Sequence, residues 1–170
     1  MVTDRIEKVV TLRAPVSKVW NAIANAGEFS RWFGVELQGS FVPGKTISGS
    51  WGDRFDEASM HEFQRRSGLE PHPVKLPKGI TVFCTVERVE PERHFSFRWI
   101  PYGIDAAVDP VNEPKTLVEF DLEPVTEGTR LTIVESGFDR VPAHRRERAF
   151  LMNTGGWHGQ AENLRKHVEV

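Results

Sequence analysis

The sequence predicts an α+β domain in which an antiparallel sheet packs against a long C-terminal helix, with two short helices after the first strand. Apolar and polar residues alternate in several segments between residues 80 and 136, as in strands with one buried face. An apolar stripe follows Pro142 at steps of four and three residues, which is typical of a helix packed on a sheet. Its members are Phe150, Thr154, Trp157, Ala161, Leu164 and Val168. A chain of 170 residues has the usual size of one domain, so we expect residues 1–170 to form a single unit.

The N-terminal segment predicts one strand and two helices. Residues 6–12 are rich in β-branched side chains and predict the strand. Pro15 follows and starts a helix with one apolar stripe, which we expect Gly27 to end. A second, short helix carries aromatic residues and stops before Gly34. These aromatic residues are Phe29, Trp32 and Phe33.

The middle of the chain predicts strands separated by two irregular excursions. Residues 35–51 predict two short strands joined by a turn at residues 43–45. The first excursion, residues 52–79, is charged and rich in Gly and Pro, with a short helix around residues 57–65. A hairpin with a heavy aromatic face follows, and then the second excursion at residues 101–114. The strands between residues 118 and 135 complete an antiparallel meander.

Composition excludes several classes of partner. The 22 basic and 24 acidic residues are spread along the chain, so we expect no binding to nucleic acid or to an anionic membrane. No apolar run has the length of a signal peptide or a membrane span. The single cysteine, Cys84, suits a reducing compartment, and we expect a cytoplasmic protein.

Several motifs together resemble one known family. They are RWF after the first two helices, VEPERHFSFRW and TRLTIVESGF in the meander, and GGW inside the last helix. In this order they resemble the START-related helix-grip (SRPBCC) superfamily, in the branch of the activator of heat-shock-protein-90 ATPase homologues. The resemblance covers residues 6–168. It implies a helix-grip fold, in which a curved antiparallel sheet wraps around the C-terminal helix.

The resemblance also implies a class of function. Members hold lipids, polyketides, plant hormones or other hydrophobic molecules in a cavity between sheet and helix. We therefore expect a non-enzymatic binder of a lipid-, polyketide- or flavonoid-like molecule. A cyclase or hydrolase, and a co-chaperone-like protein-binding module, are the alternatives. The two excursions are expected near the cavity mouth or over one edge of the sheet, and the chain is expected to be a monomer or a homodimer.

Glu135 is the residue that the strand alternation singles out as a candidate for function. It shares the parity of Leu131 and Ile133, so its carboxylate is predicted to point inward, where it must be paired, hydrogen-bonded or protonated. One interpretation is a ligand anchor or an acid/base group. The other is a structural carboxylate bonded to Asn153, Thr154, Arg98 or a water.

A larger set of residues is predicted to line the ligand site, either as aromatic walls or as polar groups that orient the ligand. The set is Trp32, Phe33, Phe97, Trp99, Phe120, Glu135, Phe138, Phe150, Asn153, Thr154 and Trp157. Taken singly, each aromatic member is better interpreted as ordinary core, and it is the surplus of aromatic residues together that favours a cavity. Asn153 and Thr154 can equally bond within their own helix. Gly155 and Gly156 predict a bend of the helix or a close approach of another side chain.

Other charged motifs predict no site. The six histidines show no metal-ligand spacing, and residues 105–113 lack the glycine and terminal glutamate of an EF-hand, so we expect no metal and no cofactor. The basic run at residues 144–148 is interpreted as a solvated helix face. No serine has an evident histidine partner, so no catalytic residue is assigned.

Overall fold

The computed structural model describes residues 4–170, and residues 1–3 of the predicted domain lie outside this range. The strands are β1 Arg5–Leu12, β2 Glu36–Gln38, β3 Thr46–Ser50, β4 Thr81–Glu90, β5 His94–Trp99, β6 Thr116–Val125 and β7 Gly128–Ser136. The helices are α1 Val16–Ala24, α2 Ala26–Phe33, α3 Glu57–Arg66 and α4 Ala143–Val168, with a 3₁₀ turn at Phe138–Arg140.

The seven strands form one curved antiparallel sheet in the order β1-β7-β6-β5-β4-β3-β2. Its inner face presents alternate residues of the central strands, such as Phe97, Phe120 and Ile133, which are almost wholly buried. The buried stripe of α4, including Trp157 and Leu164, belongs to the same hydrophobic core. The predicted α+β helix-grip fold is therefore confirmed.

The two short helices after β1 are close to their predicted places. Asn25 separates them, and its side chain accepts a hydrogen bond from the backbone N–H of Glu28 at 3.0 Å. The prediction that Gly27 ends the first helix is wrong, because Asn25 caps α2 and Gly27 lies inside its first turn. Gly34 ends α2 in a left-handed conformation, with φ 92°. The indole N–H of Trp32 donates to the carbonyl of Ala22 at 2.8 Å and ties the helices together.

The long helix α4 buries a stripe that differs from the predicted one at its N-terminal end. Thr154 is exposed, and its hydroxyl donates to the carbonyl of Phe150 within the same helix at 2.7 Å. The prediction that Thr154 faces the sheet is therefore wrong. Ala149 and Met152 occupy the buried positions there instead, because the step from Met152 to Trp157 is five residues and shifts the stripe away from the predicted steps of four and three.

The glycine pair in α4 has two different environments. A Cβ on Gly155 would lie 3.2 Å from the ring of Phe63 in α3, whereas a Cβ on Gly156 would meet nothing within 4 Å. The helix is continuous through both positions. The close approach expected from the sequence is thus made at Gly155, by a side chain of the first excursion.

The two excursions contact each other and α4. Val74 and Asp105 form an isolated antiparallel bridge between them. The amide nitrogen of buried Gln64 donates to the Tyr102 hydroxyl at 2.7 Å, and its oxygen accepts from the backbone N–H of His72 at 2.9 Å. The two excursions are therefore joined to each other, and Arg148 of α4 donates to the carbonyl of Glu70 in the first at 2.7 Å. Within residues 4–170, the helices fall short of the length and apolar character needed to cross a membrane.

Candidate functional site

Glu135 occupies the inner face of β7 at the centre of the fold. Its Cα pairs with Ile6 of β1 on one side and with Val118 of β6 on the other. Strand alternation places it on the same face as Leu131 and Ile133, and its exposed fraction is 0%. The prediction that the Glu135 carboxylate points inward is confirmed.

Four side chains from three elements converge on this carboxylate, and we call them with Glu135 the Glu135 cluster. Oε2 accepts from the Trp99 indole N–H at 2.8 Å and from the Thr116 hydroxyl at 2.6 Å. Oε1 accepts from the Trp157 indole N–H at 2.8 Å. The amide nitrogen of Asn153 lies 3.0 Å from both oxygens. The lone pairs of the carboxylate, about four in number, are therefore fully used.

The electrostatics of the Glu135 cluster are unusual for a protein interior. Burial raises the pKa of Glu135 above its ordinary value of 4.5, and the hydrogen bonds from Thr116, Trp99, Trp157 and Asn153 oppose that rise. Within residues 4–170, all four hydrogen-bond partners are uncharged, so none supplies a counter-charge. In the part of the chain that the structure describes, the site is a buried acid whose hydrogen-bond donors are neutral.

An aromatic wall surrounds the Glu135 cluster. The rings of Trp99 and Trp157 lie 5.6 Å apart between centroids, and Phe33 is 6.0 Å from Trp99 and 6.1 Å from Trp157. Phe120 contacts Trp157 at 5.8 Å, and Phe97 contacts Trp99 at 5.4 Å. Both indoles have their polar edge on the carboxylate and their faces in the apolar wall.

The other predicted site residues lie further from the carboxylate or point away from it. Trp32 is buried between α1 and α2, where it contacts Phe29 and Phe33. Phe138 and Phe150 pair with each other at 5.3 Å. Of the four partners suggested for a structural Glu135, Asn153 is present. Thr154 instead bonds within α4, and Arg98 donates to Glu87 at 3.1 Å.

Sequence reasoning missed Thr116, although a signal for it exists. Thr116 has the parity of Val118 and Phe120, so an earlier start of β6 would have placed its hydroxyl on the inner face beside Glu135. It also missed the donor role of Trp99 and Trp157, whose indole N–H groups are hidden in a pattern that predicts only an apolar wall.

A second buried polar cluster corrects the interpretation of the basic run. Arg145 of α4 is only 1% exposed, so the prediction of a fully solvated face is wrong at this residue. Its guanidinium donates to Glu113 and to the carbonyl of Pro101, and Asp105 lies 3.6 Å from it. We call Arg145, Glu113 and Asp105 the Arg145 cluster. It fastens the second excursion to the first turns of α4.

Two open depressions lie outside the core. One, of about 500 Å³, is on the outer face of the sheet and is lined mainly by charged residues such as Arg88, Glu119 and Arg130. The other, of about 490 Å³, lies between the end of α2 and the segment after β3, beside Trp51 and Arg54. Neither of these two depressions includes Glu135.

The sheet, the paired short helices and the gripped C-terminal helix define a helix-grip protein of the SRPBCC class. The family model described as "Activator of Hsp90 ATPase homolog 1-like protein" matches residues 13–169. The chain belongs to this family, and its fold supports a role in binding a ligand or a protein partner. No characterised protein matched in the sequence comparison.

Solved structures from three bacteria share the fold. Protein MLL2253 from Mesorhizobium loti has a TM-score of 0.66 at 21% identity, with 96% of this chain and 95% of that one covered. Protein BH1534 from Bacillus halodurans has a TM-score of 0.60 at 26% identity, with coverage of 97% and 96%. The Aha1 dimer from Colwellia psychrerythraea has a TM-score of 0.62 at 17% identity, with coverage of 100% and 98%.

Proposed function

We propose that the protein binds a hydrophobic small molecule between the sheet and α4, against the aromatic wall and next to the Glu135 cluster. The single observation that carries this proposal is the buried carboxylate of Glu135, which accepts hydrogen bonds from four neutral side chains, none of which supplies a counter-charge. An isolated buried carboxylate costs several kcal/mol, by a rough estimate, and an apolar residue would stabilise a purely structural core better. Such a costly group is typical of a site that recognises something.

The exposed side of the cluster indicates where a ligand enters. Thr116 and Trp157 are buried, whereas Trp99 and Asn153 are half-buried. Asn153 also shares one nitrogen between two oxygens, so either of its bonds is replaced at small cost. We infer that a ligand displaces the Asn153 side chain and inserts between α4 and the end of β5. Lipid-, polyketide- and flavonoid-like molecules have the apolar bodies that this wall accommodates.

The test is a titration with flavonoids, fatty acids, sterol-like and polyketide-like compounds, followed by the fluorescence of the five tryptophans. We expect saturable quenching by one chemical class, with the compound recovered unchanged. Calorimetry on Trp157→Phe should show binding weakened about tenfold, because the smaller ring removes part of the apolar wall on which the ligand packs. The matched control is Trp20→Phe on α1, outside the Glu135 cluster, which should leave the affinity unchanged.

Two other outcomes would replace the proposal. Recovery of an altered compound would make the protein an enzyme in which Glu135 acts as acid or base, an activity that the raised pKa of its carboxyl would serve. The absence of any saturable response from the folded protein would instead favour a protein-binding module, the role suggested by the family's description as an activator of a chaperone ATPase.

A further inference from the structure

The Glu135 cluster contains a charge imbalance that a ligand can correct. An ionised Glu135 places one negative charge in the core, and its partners within residues 4–170 are an alcohol, an amide and two indoles. Neutral donors stabilise a carboxylate only partly, because they supply dipoles and not an opposite charge. In the Arg145 cluster, by contrast, a buried guanidinium lies against two carboxylates and supplies the opposite charge.

The groups around Glu135 also favour one kind of head group. The carboxylate offers only acceptors, so a ligand that replaces Asn153 must itself donate hydrogen bonds. The faces of Trp99, Trp157 and Phe33 belong to the apolar wall beside the carboxylate, so they accommodate the body of the ligand and leave the charge of its head to Glu135. A carboxylate head, as in a fatty acid, would instead face Glu135 with a like charge.

We propose that the ligand is an apolar molecule with a cationic, hydrogen-bond-donating head, such as an amine or amidine, which replaces Asn153 against Glu135. This inference rests on the proposed function and names the ligand class of that same site. The cation pairs with the carboxylate, its N–H groups take over the bonds of Asn153, and the apolar body packs on the aromatic wall. The Glu135 cluster is then an anionic recognition site inside a hydrophobic one.

The experiment compares three probes of one shape and different charge: phenylbutylamine, phenylbutanol and phenylbutyrate. Calorimetry near pH 7 should show that the amine binds at least about tenfold more tightly than the alcohol, and the alcohol more tightly than the acid. In Glu135→Gln this preference should disappear. The control is Glu119→Gln on the outer sheet face, which makes the same change outside the site and should keep the preference.

A second variant keeps the test informative if Glu135→Gln does not fold. Asn153→Ala removes the group that the ligand must displace, so we expect it to bind the amine several-fold more tightly, about the effect of one hydrogen bond. Weaker binding of the amine to Asn153→Ala would overturn the inference that the ligand displaces the Asn153 side chain.

The outcomes separate the two proposals. Equal or tighter binding of the alcohol or the acid would overturn the cationic head group and leave a hydrophobic ligand site. An amine preference that survives Glu135→Gln would place the recognition elsewhere and overturn the inference. If none of the three probes binds while a compound of the larger panel does, the head-group inference fails and the proposed function stands. If neither set binds, both fail.

Discussion

Two buried polar clusters of this protein stabilise carboxylates inside the fold in different ways. In the Arg145 cluster, a guanidinium lies against the carboxylates of Glu113 and Asp105, and all three side chains are at most 4% exposed. In the Glu135 cluster, one carboxylate is surrounded by neutral donors within residues 4–170. The first is explained by its position, because it ties an excursion to α4. The second also joins the sheet to α4, but it does so through a buried carboxylate whose hydrogen-bond partners carry no opposite charge, which is why it is the better candidate for function.

The largest expected effect is at the Arg145 cluster. Arg145→Met would leave Glu113 and Asp105 buried beside an uncharged side chain, and we expect a loss of about 3–5 kcal/mol in the free energy of unfolding. Urea denaturation measures it. The matched control is Arg130→Met, whose ion pair with Glu123 is exposed at 47% and 65% and should contribute about 0–1 kcal/mol. If Arg145→Met loses no more unfolding free energy than Arg130→Met, the Arg145 cluster does not hold the second excursion to α4.

A smaller loss is expected when one donor is removed from the Glu135 cluster. Thr116→Val keeps the shape of the side chain but removes the hydroxyl that donates at 2.6 Å. We expect a loss of about 1.5–3 kcal/mol, the range for a hydrogen bond to a charged group. Thr132→Val, the same change at a half-buried position of β7, is the control and should alter stability far less. Equal effects would contradict the assigned role of Thr116.

The pH dependence of stability should distinguish Glu135 from a paired acid. Since its folded pKa is raised above 4.5, the folded state holds the proton more tightly than the unfolded chain. The contribution of Glu135 to stability is therefore full below about pH 4.5 and is lost as the pH rises through the folded pKa. The loss is about 1.4 kcal/mol for each pH unit that separates the folded pKa from the unfolded one.

The measurement is the difference in unfolding free energy between the wild type and Glu135→Gln from acid to neutral pH. Glu119→Gln controls for the loss of one carboxylate. We expect the wild type to lose stability relative to Glu135→Gln as the pH rises. A difference that moves in favour of the wild type would mean that the pKa of Glu135 is lowered, and that the interactions of the carboxylate outweigh the effect of burial.

The smallest effects are expected at the glycine pair. Gly156→Ala should stabilise the protein by up to about 1 kcal/mol, because alanine favours a helix and the new methyl meets nothing within 4 Å. Gly155→Ala gains the same helix propensity but places its methyl 3.2 Å from the Phe63 ring, so its net effect should be less favourable. Thermal unfolding of the two variants gives the comparison. Equal stabilisation would show that Phe63 moves aside freely and that α3 does not require Gly155.

The sequence was sufficient for the strands, the long helix and the orientation of Glu135, because these follow from local period, and the helix-grip arrangement was implied by the resemblance to the family. Alternation along β7 is a property of successive residues, and it survives any error in strand ends. The donors around Glu135 were harder to find. Asn153 is a partner that the sequence predicts, but Thr116 lies just outside the predicted strand, and indole N–H groups carry no signal in a hydropathy pattern.

Arg145 shows where local pattern fails. Its neighbours in sequence are charged and partly exposed, so the run has the composition of a solvated helix face. Its burial depends on Glu113, 32 residues away in an excursion without periodic pattern. Charge pairing between residues far apart in the chain leaves no signal in a hydropathy period, so the sequence did not predict that Glu113 and Asp105 lie against Arg145.

The most direct test of the account follows the indole N–H signals of the five tryptophans by ¹H–¹⁵N NMR while phenylbutylamine or phenylbutanol is added. If the Glu135 cluster is the ligand site, the signals of Trp99 and Trp157 should shift together and saturably, because both donate to the carboxylate that the ligand approaches. The signals of Trp20, Trp32 and Trp51 should move little. A saturable shift at Trp51 or Trp20 with Trp99 and Trp157 unchanged would place the ligand elsewhere and contradict the account.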